Sequence, residues 1–135
     1  MRKGLILLLA LVILLPGCAK SINLSDNKKQ LDPSEKYRLL AMVEEITEPT
    51  EESPFLDLSS NAYDYINAHK DIFNKLVGGG QQTADILISE LKRARDFGLN
   101  QYIMAAICAE ITGVGKDDSK AWATAEDWLD LYGNQ

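Results

Sequence analysis

The sequence predicts an all-α protein, a small bundle of about five or six helices. Three observations carry this. Beyond residue 32, apolar residues recur at helical spacing, capping signatures open those runs, and glycine or proline closes them. No stretch alternates apolar and polar residues for long enough to require a sheet.

The first helix opens at Asp32-Pro33-Ser34-Glu35, which combines an N-cap acid, proline at the first helical position and a Glu three after the cap. Leu39, Met42, Val43 and Ile46 give it a buried face, and Pro49 forces an end near Thr47, because the residue before proline disfavours helical backbone. The stretch to Asp57 then reads as a loop. Ser59 or Ser60 is expected to cap a short helix running through Ile66. Ile72, Phe73, Leu76 and Val77 mark a further helical segment that Gly78-Gly79-Gly80 stops.

From Thr83 the pattern predicts a helix with Ala84, Leu87, Ile88, Leu91 and Ala94 on one face and Asp85, Ser89, Lys92, Arg93 and Asp96 on the other. Gly98 separates it from a helix over residues 99–112, in which residues 102–109 carry no charge, so this is the expected central element. Gly113 and Gly115 terminate it. Thr124-Ala125-Glu126-Asp127 resembles a capping box with Asp in place of Glu or Gln, opening a last helix through Tyr132 whose Trp128, Leu129 and Tyr132 close the core.

The residues before Asp32 have another character. Arg2 and Lys3 precede an apolar run over residues 5–15 that is broken by Pro16-Gly17 just before Cys18. That run is shorter than the roughly 20 residues a transmembrane helix needs, and it has the layout of an export signal. Residues 19–31 are polar and without hydrophobic period, the composition of a flexible tether. The expected division is a signal peptide at 1–17, a tether at 18–31 and a helical domain at 32–135.

Leu15-Pro16-Gly17-Cys18 resembles the lipobox of bacterial lipoproteins, with a branched apolar residue three before the cysteine and a small residue directly before it. The resemblance implies diacylglyceryl attachment to the Cys18 sulfur, cleavage before Cys18 and acylation of the new amine. Two or three chains make a stable anchor, since one chain binds membranes only marginally. It further implies a protein facing outside the cytoplasm on the cell membrane or, because Ala19 rather than Asp follows Cys18, on the outer membrane of a two-membrane bacterium. The lipobox together with the tract from Tyr63 to the Trp128-Leu129…Tyr132 ending looks like small lipoproteins of Gram-positive bacteria. Residues 84–91 and 99–113 together resemble one HEAT-like helical hairpin, with the turn at Gly98-Leu99.

Charge excludes one class of partner. Cleavage before Cys18 leaves 118 residues and removes Arg2 and Lys3, so 12 basic residues face 20 acidic ones and the formal charge moves from -6 to -8. Nucleic-acid binders need the opposite sign, and so does polybasic docking on anionic lipid. Attachment to the membrane is therefore expected through lipid on Cys18, and the remaining partner to be an envelope protein or peptide.

No catalytic, cofactor or metal site is expected. His69 is the only histidine and is read as a surface or helix-end residue. Cys108 lies in the apolar central helix, where a thiol behaves as a small hydrophobe. Gly78-Gly79-Gly80 lacks the lysine and spacing of a phosphate loop, and Asp117-Asp118 lacks the alternating ligands and glycine of a calcium loop. Glu110, the one acid in the central helix, is read as an exposed edge or as the partner of a Lys or Arg. A hydrolase built on Glu110 or Asp64, and an inhibitor or immunity lipoprotein, stand as alternatives to a noncatalytic interaction domain. The candidate interaction surface combines Glu44, Glu45 and Glu48, from an acidic run continuing through Glu51, Glu52 and Asp57 without a basic residue, with Tyr63 and Tyr65. Trp122 and Trp128 are assigned to the core.

Overall fold

A computed structural model of the chain describes residues 32–116 and 122–134. The signal segment, Cys18, the tether and Asp117-Asp118 lie outside the described residues. Six α-helices and one 3₁₀ turn, with no strand among the described residues, make the small all-α bundle that the periodicity predicts.

Helix α1, Pro33–Ile46, starts where expected: the Asp32 carboxylate accepts from the Ser34 N–H at 3.0 Å. Leu39, Val43 and Ile46 are its buried face. The 3₁₀ turn Leu56–Leu58 follows, then α2 (Ala62–Ala68) and α3 (Lys70–Gly78). Asn61 caps α2, accepting from the Tyr63 N–H, rather than Ser59 or Ser60. Ser59 is otherwise occupied, because its hydroxyl donates to Asp64 at 2.6 Å and accepts from the Asn61 N–H.

Helix α4 spans Gly80–Leu91 and so begins three residues before the Thr83 start that the sequence suggests. The triple glycine ends α3 but opens α4 at once, with Gly79 as cap of both helices. Gly80 takes a φ of 62°, the left-handed region that favours glycine, and turns the chain without an intervening loop. His69 is likewise the shared cap of α2 and α3, at a φ of −119°.

Helix α5, Leu99–Thr112, packs against every other described helix, with α4 as its main partner. Ala84 lies against Cys108, and Glu90 lines the same hollow as Gln101, so α4 and α5 run antiparallel. Ile103, Ala105, Ile107 and Cys108 on α5 are fully buried, which explains the charge-free tract. Each isoleucine so buried contributes about 1.5–3 kcal/mol. At the start of α5 the Gln101 side chain accepts from the Gly98 N–H at 3.0 Å, and Gly113 ends the helix at a φ of 72°.

Helix α6, Ala125–Tyr132, begins with the expected box: the Thr124 hydroxyl accepts from the Asp127 N–H, and the Asp127 carboxylate accepts from Thr124 and Ala123. Thr124 holds the Asp127 carboxyl below its ordinary 3.8. A depressed carboxylate stabilises the fold fully above that value and loses its contribution as pH falls through the lower folded-state value. The urea midpoint of wild type is therefore expected to drop more than that of Asp127→Asn between about pH 5 and about pH 2. Equal drops would mean that the ionised Asp127 carboxylate contributes nothing to stability.

An ion-pair node ties the start of α1 to the end of α4. Both Lys36 and Arg93 reach Glu90 Oε1 at 2.7 Å. Burial pushes the Glu90 carboxyl up, but the two cations together hold it below its ordinary 4.5.

Candidate functional site

The candidate site grows from the end of α1. Its last turn carries Glu44 and Glu45 on the face opposite Val43 and Ile46, with Glu48 just beyond the Thr47 cap, and all three acids are exposed. Anions at a helix C-terminus face the negative end of the helix dipole, and no basic residue in that turn offsets them. Local stability alone would favour the opposite charge.

The loop beyond is pinned at three points. His69 Nε2 donates to the Glu48 carbonyl at 2.8 Å, Leu56 is buried in the core, and the Tyr65 hydroxyl donates to the Ser59 carbonyl at 3.1 Å. Between these pins, Thr50 and Ser53 close a turn through reciprocal backbone hydrogen bonds, and the Ser53 N–H also reaches the Thr50 hydroxyl. Phe55 and Leu58 flank the buried Leu56 yet remain 75% and 79% exposed. Glu51, Glu52 and Asp57, all exposed, surround them in the chain.

Tyr65 is therefore corrected from surface candidate to core residue, with 4% of its surface exposed. His69 is likewise at a helix end as expected, but buried rather than on the surface. Tyr63, two residues before Tyr65 on the same helix, is exposed. It meets Tyr102 edge to face at 6.4 Å, and Tyr102 in turn lies against Trp122 at 4.8 Å. Burial, with a smaller effect of Tyr63, raises the Tyr102 phenol above its ordinary 10.0. Tyr63 and Tyr102 line a cleft of about 390 Å³ where α2, α5 and α6 begin, while a larger one of about 590 Å³ lies along α4 and α6. Neither Phe55, Leu58 nor Tyr102 stands out in the sequence as a surface or site residue.

No family model, curated protein or solved structure matches the chain. What the site can do is read from its own chemistry. Among the described residues no group of His, Cys, Asp and Glu is placed to hold a metal ion. The two acids weighed for catalysis have separate partners: Asp64 accepts from Ser59 and Asn61, and Glu110 pairs with Lys116 Nζ at 2.6 Å.

Cys108 is fully buried, with its thiol 3.8 Å from the Ala84 carbonyl. Burial, aided by the Asp85 carboxylate, pushes that thiol up to about 12. Cys108 in the folded protein is thus expected to react with a disulfide reagent at about pH 8 at least about 100-fold more slowly than in urea. Comparable rates would show that the α4/α5 interface opens readily.

Proposed function

We propose that the chain is a bacterial lipoprotein, tethered outside the cytoplasm by lipid on Cys18, and that its helical domain is a noncatalytic module for binding an envelope protein or peptide. The observation that carries the reading is Leu15-Pro16-Gly17-Cys18 at the end of an apolar run headed by Arg2 and Lys3. Among the described residues no helix is long and apolar enough to cross a membrane. The interaction half of the reading is supported by the exposed acids Glu44, Glu45 and Glu48, by the half-exposed Tyr63, and by the apolar pair held out on the pinned loop. Supported surfaces of this kind bind with little ordering cost.

The test is the intact mass of protein extracted from membranes, wild type against Cys18→Ala. The expected wild-type product begins at Cys18 and carries two or three acyl chains, palmitate among them, while the variant carries none and leaves the membrane fraction. A wild-type chain without lipid on Cys18 sinks the reading.

A further inference from the structure

We infer that the ridge formed by Phe55 and Leu58 is the contact surface of the domain, and that its partner is a protein presenting an apolar pocket rimmed by Lys and Arg side chains. This rests on the interaction reading above and names the partner's chemistry.

Three observations converge on it. Two large apolar side chains at least three-quarters exposed, three residues apart on one short turn, lose a substantial favourable transfer energy by facing water. The turn is not loose. His69 and Tyr65 bond the backbone on either side of it and Leu56 is buried in the core, so Phe55 and Leu58 project from a supported turn, which lowers the ordering cost of binding.

Charge then selects the occupant. From Arg38 to Lys70 the chain has no intervening Lys or Arg, while Glu44, Glu45, Glu48, Glu51, Glu52 and Asp57 are all exposed. A second copy of the chain would bring the same carboxylates against these, and an anionic bilayer would be repelled by them. A basic rim would be attracted by both the carboxylates and the negative end of α1, where Glu44 and Glu45 crowd the helix terminus. Apolar anchors inside and opposite charges outside form the arrangement of core and rim found in specific protein interfaces.

The experiment places benzoylphenylalanine at position 55 or 58 of the full chain in living cells, with position 37, an exposed tyrosine on α1 before the acidic run, as reference. Irradiation is expected to give one protein adduct from positions 55 and 58, about tenfold above position 37. The crosslinked partner segment should carry Lys or Arg beside the attachment point. Joint Glu51→Lys, Glu52→Lys and Asp57→Lys replacement should lower the adduct about tenfold or more, with the helical circular dichroism of the domain retained.

An adduct with a second copy, an adduct with lipid alone, an adduct insensitive to charge reversal, or no adduct from either position overturns the inference. Adducts confined to position 37 would leave an interaction domain standing but remove the ridge from it. Failure of lipidation at Cys18 is read separately by mass and leaves the ridge intact.

Discussion

Replacing Trp128 with alanine is expected to destabilise the domain by about 3–5 kcal/mol, the usual cost of emptying a buried tryptophan site. Its ring is 1% exposed and lies beside Tyr132, while the indole N–H donates to the Val114 carbonyl at 3.2 Å. Helix α6 packs on both α4 and α5, and Trp128 is its one large side chain fully inside the core. Because a domain of this size has a total stability of about 5–15 kcal/mol, a loss of that order threatens folding outright. Urea unfolding should show the midpoint falling at nearly constant slope. Trp128→Phe, which keeps most of the packing and gives up the hydrogen bond, should cost less than half as much; a Trp128→Ala cost below about 1 kcal/mol would mean that α6 is not part of the folded core.

The second large effect is at Gly79. Its φ of −70° suits any residue, so backbone strain is not the issue. A Cβ there would run into the hydroxyl of Thr83 and lie 3.2 Å from both Thr83 Cβ and the Leu76 carbonyl. Thr83 is buried and β-branched, so it has little room to withdraw. Gly79→Ala is expected to cost about 1–3 kcal/mol by overpacking the corner between α3 and α4. In a Thr83→Ala background the same change should cost at least about 1 kcal/mol less, since the obstacle is gone. Strict additivity of the two changes in urea unfolding would trace the cost to something other than that clash.

The parts of the fold legible in the sequence are those whose ends carry side-chain signals. Asp32-Pro33 opens α1, Thr124 and Asp127 open α6, and Gly98 and Gly113 bracket α5, all where expected. The start of α4 was hidden because glycine reads as a helix stop by propensity, whereas here a left-handed Gly80 makes a corner between two abutting helices.

The site divides in the same way. Glu44, Glu45 and Glu48 are exposed as their charge suggests. Tyr63 and Tyr65 could not both share one face of a helix, because two residues advance about 200° around it. Helical phase therefore already argued against pairing them, and α2 buries Tyr65 while showing Tyr63. Phe55, Leu56 and Leu58 offer no such clue. In a loop without period, nothing local tells which of three apolar residues turns inward, and only the packed structure assigns that role to Leu56.

The single-residue corners at His69 and Gly79 make the middle of this chain intolerant of changes in length. One residue added at either corner would swing the following helix by about 100° around its own axis. Such an insertion would bring the polar side of α3 or α4 against α5, however favourable the inserted residue itself. Related sequences can therefore be expected to vary in composition from α2 through α4 while keeping spacing fixed. Additions and deletions should collect instead between α4 and α5, where residues 92–98 provide slack.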